Sequence, residues 1–289
     1  MTQTPRLPDF IIAGAAKSAT TWLQNSLQQS PMIQMPDHEP HFFSRRYDEG
    51  MEAYRNELGP APEGVLLGEK SNSYLTEPAA AARIHAHLPQ VRLVFQLRDP
   101  VARAYSDYCM LLRRGEVDAD IARHLDPDRA ANGRFLQDGC YAQHLARFYD
   151  LFPAEQILVL RYEDILRDPQ AQVARLAAHL ELTEQLAPPL QERVKDARAT
   201  AVPRPLRRLL APLRPLLDPI RHTAPIARLR GLVARQHRYP PFDPALKAEV
   251  SAFFAPQLDR LAALTGENFD IWRKPRQSPR TGNPNRLVQ

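Results

Sequence analysis

The sequence predicts an α/β fold in which a central parallel sheet is flanked by helices. Three observations carry that expectation. A short apolar run hands over to a helix-compatible stretch three times, and alternating strands and helices build a parallel sheet covered on both faces. The chain has 289 residues, a length that α/β units reach as one domain around one core. Its composition, 44% hydrophobic and 25% charged, is that of an ordinary globular protein and excludes wholesale disorder, collagen-like repetition and a membrane-embedded chain.

The first unit is the apolar run Asp9 to Ala13, ended by Gly14, followed by a small-residue loop and a helix from Thr20 to Gln29 in which Trp22, Leu23 and Leu27 recur at helical spacing. The run Val65 to Leu67 predicts a shorter strand. Next comes Val91 to Leu97, then Arg98 and Asp99, then Pro100 where a first helical turn tolerates proline. The third unit is Gln156 to Leu160, the segment RYEDILRDP and a helix from Gln170 to Leu180. A final helix from Pro244 to Leu264, closing at Gly266, places Leu246, Val250, Phe253, Phe254, Leu258, Leu261 and Leu264 on its apolar positions. It is expected to pack back on the sheet. No repeat of 20 to 50 residues is apparent, which disfavours solenoids and propellers.

Charge is unevenly placed. The net charge is +5, yet Arg193 to Arg238 holds eleven Arg and one Lys against Asp196 and Asp218, a local balance of +10. The stretch from about Ala187 to Pro241 alternates Arg with Leu and repeats Pro too often for one continuous helix, predicting a mostly helical Arg/Pro-rich insertion of short pieces. It reads as a lid over an anionic ligand, as a Leu/Arg surface touching anionic lipid, or as a solvated charge run. Aromatics do not interleave with its arginines, which argues against nucleic-acid binding. Residues 1–274 are expected to form a single domain and 275–289 a disordered tail. No window reaches 18 uninterrupted apolar residues and no leader pattern stands at the N-terminus, so a cytoplasmic protein without stable membrane insertion is expected. Cys109 and Cys140 form neither a disulfide framework nor a metal cluster, and the nine His are scattered with no HExxH or CxxC pattern. No metal is expected. Oligomeric state is not legible.

Two motifs carry chemistry. Gly14-Ala-Ala-Lys17-Ser18-Ala19-Thr20-Thr21-Trp22 follows the first strand and opens the first helix, so backbone N–H groups, an ammonium and three hydroxyls converge where a phosphate would sit. The Walker A pattern is absent, because Gly14 stands alone and Ala16 precedes the lysine, which removes most support from a nucleotide kinase. A bland strand-to-helix turn with solvated hydroxyls is the alternative. Arg98 at the end of a later strand, with Ser106 on the second turn of the helix behind it, makes a second anion site, since a guanidinium binds phosphate with two parallel hydrogen bonds. A structural ion pair is the other reading of such an Arg.

Together these motifs resemble the sulfotransferases that use 3′-phosphoadenosine 5′-phosphosulfate (PAPS), in particular their bacterial and heparan-type branch. EPHFFS at Glu39 to Ser44, GEKSNSYL at Gly68 to Leu75 and GCYAQHLARFYDLFP at Gly139 to Pro153 extend the similarity, which is clear over about residues 9 to 170. The resemblance implies a P-loop-like nucleotide-binding topology, PAPS as sulfuryl donor and PAP as product. It implies that Lys17 stabilises the leaving phosphate and that Ser18, Ala19, Thr20 and Thr21 belong to the phosphosulfate loop. Arg98 and Ser106 would hold the 3′-phosphate, and Trp22 stands where some members stack the adenine, a core tryptophan being the alternative. Tyr141 matches a nucleotide-side position, or is a buried aromatic. Glu39 occupies the position of the general base, with His41 as runner-up or helper, and Lys70 orients the acceptor or the sulfuryl group unless it makes a surface ion pair with Glu69. The default reading of Glu39 alone is a solvated loop carboxylate. Arg235, His237 and Arg238 are the nearest match to a late nucleotide-binding loop.

Three departures from the family pattern stand out: Ala19 where Gly is common, His38 where Lys is frequent, and Ser44 where some heparan-type enzymes have an acid. The expected function is transfer of a sulfuryl group to a hydroxyl, or less readily an amine, of a carbohydrate, glycopeptide or small metabolite. A P-loop-like nucleotide kinase and a non-catalytic adenosine-phosphate or anion-binding module are the alternatives.

Overall fold

A computed structural model describes residues 6–189 and 239–273. The insertion, except for its first and last three residues, the tail, and Arg235, His237 and Arg238 lie outside the described residues.

Among the described residues five strands form one sheet: β1 (Phe10–Gly14), β2 (Ile33–Gln34), β3 (Leu66–Lys70), β4 (Arg92–Leu97) and β5 (Ile157–Arg161), in the order β2-β3-β1-β4-β5. Every pairing is parallel, with Ile11 opposite both Glu69 and Leu93, as the strand and helix alternation predicts. Strand periodicity sorts the side chains. Phe10 and Ile12 of β1 pack with Val94 and Leu160 under α1 (Thr20–Leu27) and α10 (Pro169–His179), while Ile11 and Ala13 pack with Leu93, Phe95 and Val159 under α3 (Ala80–His87) and α8 (Tyr141–Tyr149). Each such fully buried aliphatic or aromatic side chain is worth about 1.5–3 kcal/mol of apolar burial.

The helix that Pro100 opens is α4 (Pro100–Arg114), as its sequence predicts; beyond the predicted elements the chain forms α2 (Gly50–Leu58) and, between α4 and α8, α5 (Ile121–Leu125), α6 (Pro127–Ala130) and α7 (Arg134–Gln137). The segment RYEDILRDP is itself mostly α9 (Tyr162–Arg167), stopped at Asp168, whose side chain accepts the Ala171 N–H and caps α10. The helix α11 (Pro244–Thr265) starts at an Asp243 cap and ends at Gly266 in the left-handed region, as its sequence signals predict. Its packing corrects one expectation. α11 lies on α4 and α8 rather than on the sheet, with Leu246, Val250 and Phe254 against Val101, Ala104 and Tyr108 and with Leu258 and Leu261 against the Tyr141 and Phe148 cluster. The sheet faces are already covered by the shorter helices between the strands.

Connections leave β1 toward β2 and β4 toward β5, on opposite sides, so the crevice at the carboxyl ends of β1 and β4 is the topological switch point where α/β sheets bind ligands. Both anion motifs stand there.

Candidate active site

The loop after β1 curls tightly. Lys17 and Ala19 both have left-handed backbone, with φ 70° and 65°, and successive N–H groups in such a turn make an anion-binding concavity. Ala19 is the N-cap of α1 and offers no side chain to its first turn, which leaves that helix end to a ligand. Ser18 is fully buried and its Oγ has no hydrogen-bond partner in the protein, an orphan that an anion oxygen would satisfy. Lys17 is half-buried with Nζ 3.7 Å from the Met110 sulfur on α4. Left-handed backbone costs an alanine about 1–2 kcal/mol and a glycine almost nothing, against the roughly 0.4–1 kcal/mol that glycine adds to the unfolded entropy. Ala19→Gly is therefore expected to stabilise the chain, by up to about 1 kcal/mol in chemical unfolding.

Arg98 emerges from β4 beside this loop. One guanidinium nitrogen donates to the Lys17 carbonyl at 3.2 Å, the carbon of the group lies 4.8 Å above the Tyr162 ring, and Nε has no partner. Tyr141, which is buried, donates its hydroxyl to the Arg98 carbonyl at 2.9 Å. The turn behind Arg98 is braced by Glu163, which accepts from the Asp99 N–H at 3.3 Å and from the Trp272 indole at 2.7 Å. Ser106 is half-buried on the second turn of α4, and Trp22 is half-buried against the cluster under α1.

The acidic side of the site is built from β3 and the loop after β2. Gln24 of α1 donates to the Pro36 carbonyl at 2.7 Å and pins that loop. Glu39 is not a free solvated carboxylate: it accepts from the Asn72 N–H at 3.1 Å and its amide at 3.3 Å, and Lys70 Nζ lies 3.0 Å away. Lys70 is buried and also donates to the Thr21 hydroxyl at 3.2 Å, so it joins the acidic loop to the anion loop. The surface pair with Glu69 does not form, because consecutive strand residues face opposite sides of a sheet. Glu69 points to the other face, where it is fully buried and accepts from Tyr54 at 3.0 Å and Ser71 at 2.7 Å.

His41 also has left-handed backbone, φ 52°. Three of the four described non-glycine residues with positive φ (Lys17, Ala19, His41) thus belong to this site, the kind of strain that clusters at functional positions. The His41 N–H donates to Ser71 Oγ at 2.8 Å, Nδ1 is 2.7 Å from Ser73 Oγ, and Nε2 is 3.6 Å from Glu39. Burial holds the imidazole below its ordinary pKa, Glu39 pulls it up, and Arg45 and Lys70 push it down.

Burial pushes the Glu69 carboxyl up to about 7 against its hydrogen bonds. The folded chain then keeps this proton where the unfolded chain has lost it. This carboxyl consequently contributes no penalty below the unfolded pKa near 4.5 and a growing one as pH rises through 7. Glu69→Gln is expected to flatten that loss, gaining up to roughly 3 kcal/mol over the native chain between pH 5 and pH 8; equal unfolding curves at both pH values would refute it.

The sequence motifs thus bring Lys17, Ser18, Thr20, Thr21 and Arg98 to one crevice and Glu39, His41 and Lys70 to its rim. Asn72, Ser73 and Tyr162 are site residues that sequence reasoning did not single out; Asn72 and Ser73 sit in GEKSNSYL two and three residues after Lys70. Among the described residues no group of His, Cys, Asp and Glu could hold a metal ion, and no helix is long and apolar enough to cross a membrane.

Sulfotransferases resemble this chain in sequence and in fold. Human heparan sulfate glucosamine 3-O-sulfotransferase 3B1 is 33% identical over 182 residues, 61% of this chain and 47% of that protein. Mouse heparan sulfate glucosamine 3-O-sulfotransferase 6 is 34% identical over the same length, 53% of that protein. The chain spans about half the length of these relatives. The crystal structure of a sulfotransferase from Alicyclobacillus acidocaldarius superposes with a TM-score of 0.67 at 26% identity, covering 93% of this chain and 100% of the other. The sulfotransferase domain profile matches residues 7–201, and with the anion loop and Arg98 of that span lying at the switch point of the sheet, the chain belongs to the sulfotransferase domain family.

Proposed function

We propose that this chain transfers a sulfuryl group from PAPS to a hydroxyl of a carbohydrate. The observation that carries the reading is Lys70, buried between Thr21 of the anion loop and Glu39 of the opposite rim: one ammonium ties the donor loop to the candidate base. In this reading Lys17, Ser18, Thr20 and Thr21, with the backbone at Ala19, hold the 5′-phosphosulfate, and Arg98 and Ser106 hold the 3′-phosphate. The unpartnered Ser18 Oγ and Arg98 Nε support a ligand of several anionic oxygens. PAPS supplies a sulfuryl group already bonded to a good leaving phosphate. The chain's own share is therefore positioning, charge stabilisation at Lys17 and proton removal from the acceptor by Glu39. Tyr141 backs Arg98 through its carbonyl, and Trp22 is the aromatic nearest the loop in sequence. The substrate in the relatives' names makes heparan sulfate the first acceptor to test. The cytoplasm is proposed as its setting on the sequence, in keeping with two free, buried cysteines.

Calorimetric titration of PAP, with ATP as control, tests the donor without knowledge of the acceptor. PAP is expected to bind the native chain, with Lys17→Ala and Arg98→Ala each weakening it at least about tenfold, the worth of one charge-assisted contact. ATP binding without preference for a 3′-phosphate would overturn the reading in favour of a kinase, and binding of neither would leave an anion-binding module.

A further inference from the structure

The imidazole of His41 sits at the head of a chain of hydroxyls that the proposed function does not use. Ser44 Oγ lies 3.1 Å from the His41 carbonyl, Ser73 Oγ lies 2.7 Å from Ser44 Oγ, and His41 Nδ1 lies 2.7 Å from Ser73 Oγ. A carbonyl can only accept, so the first contact is a hydrogen bond only if Ser44 donates it. The Ser44 proton is then spent. Ser73 must donate to Ser44, and Nδ1–H must donate to Ser73. This order makes all three bonds. The reverse order makes two, and sends Nε2–H toward Glu39 across 3.6 Å, outside the usual reach of an N–H···O bond.

We infer that Ser44 and Ser73 are positioning residues that lock the neutral His41 ring as its Nδ1–H tautomer, leaving the Nε2 lone pair turned to Glu39 as the place to which the acceptor's proton moves. The inference rests on the proposed sulfuryl transfer for its chemical step and on hydrogen bonding alone for the tautomer. As the new bond forms between the acceptor oxygen and sulfur, the bond between sulfur and the bridging phosphate oxygen breaks and its electron pair stays on that oxygen, beside Lys17. Glu39 takes the acceptor hydroxyl's proton and hands it to Nε2, which becomes an imidazolium donating from Nδ1 to Ser73. Release of that proton to water restores the neutral pair. Glu39 is held by Lys70 and Asn72 throughout, so the 3.6 Å to Nε2 is bridged by one water or by a small tilt of the imidazole as the proton moves. The groups facing the ring are Glu39, Arg45, Lys70 and Glu57, together with Ser73 and the Ser71 hydroxyl on its backbone. Ser44 stands where some heparan-type enzymes carry an acid; an acid would accept from Ser73 directly, whereas a serine reaches the same end through the His41 carbonyl.

Nitrogen-15 NMR of imidazole-labelled protein, with His41 assigned by its loss in His41→Asn, reads the tautomer in the resting chain. The expected result is a protonated Nδ1 and a bare Nε2 near neutral pH, with Ser73→Ala and Ser44→Ala each shifting the proton toward Nε2. A proton on Nε2 in the native chain, or no change in either variant, overturns the inference. With PAPS and heparan sulfate, Ser73→Ala should lower kcat roughly 10- to 100-fold with the KM for PAPS unchanged, as expected for a misaimed group. His41→Asn, which keeps a donor for Ser73 but has no Nε2, should fare no better than His41→Ala; rescue by Asn would make His41 a structural strut and overturn the proton path. Absence of turnover in the native chain would count against heparan sulfate as acceptor and leave the NMR result to decide the tautomer.

Discussion

Glu39→Gln is expected to lower turnover by about two to four orders of magnitude while PAP binds as it does to the native chain. Glutamine has nearly the shape of glutamate, and its carbonyl can still accept from Asn72, whose N–H lies 3.1 Å from one carboxylate oxygen. What it lacks is a basic oxygen for the acceptor's proton. Its amide also places a donor where either Lys70 or Asn72 already donates, so a change in loop position has to be separated from a change in chemistry. Calorimetry with PAP does that, because Lys17, Ser18 and Arg98 are untouched. Loss of kcat with intact PAP affinity identifies the base. Turnover within tenfold of the native chain would instead pass that role to another group and make Glu39 a partner that only orients Lys70.

The features that were legible in the sequence are local ones. A strand end, a small-residue loop and a helix start are contiguous, so the placement of Lys17 and Ser18 at the crevice follows from a dozen residues, and Arg98 follows from its position between an apolar run and Pro100. Pairings across the sheet were not legible. Lys70 and Glu69 are neighbours in sequence, and the alternative of a surface ion pair between them fails on the period of two that sends them to opposite faces. Asn72 reaches Glu39 from 33 residues away, and Tyr162 lies under Arg98 only because β5 runs parallel to β4, Leu97 opposite Arg161. The destination of α11 was hidden for a similar reason: its apolar stripe was plain, but whether a stripe covers sheet or helices depends on what other elements already cover. Short helices such as α5 to α7 carry too few turns for a periodic signal.

The buried charge on α4 was equally hidden, and it sets the largest expected effect on stability. Arg103 →Met is expected to cost about 3–5 kcal/mol, the usual consequence of removing one partner from a buried ionic cluster. Arg103 and Asp107 are both fully buried. The guanidinium lies 3.7 Å from Asp107 and 3.9 Å from Asp138 and donates to the Phe135 carbonyl, which ties α4 to α7 and to the turn at Gly139. That turn has no room to adjust, since a Cβ on Gly139 would stand 2.7 Å from the Phe254 ring and 3.2 Å from Pro100. Methionine fills much of the volume, so the loss measures charge left behind: Asp107 would keep only the half-exposed Arg134 at 3.2 Å, and Asp138 nothing so deep. Burial raises the Asp138 carboxyl above its usual range and Arg103 pulls it back. Without Arg103 it rises further, so the folded variant retains a proton that the unfolded chain gives up. The gap between native and variant stability should therefore be small near pH 4 and widen toward pH 7. Chemical unfolding at the two pH values measures it. The companion variant Arg103→Met, Asp107→Leu, Asp138→Leu separates causes, because an apolar cluster of similar volume often matches or exceeds the ionic one. Recovery of most of the stability would assign the loss to uncompensated charge. No recovery would assign it to packing between α4 and α7, and PAP affinity should then fall with stability, since Ser106 rides on the same helix one turn beyond Arg103.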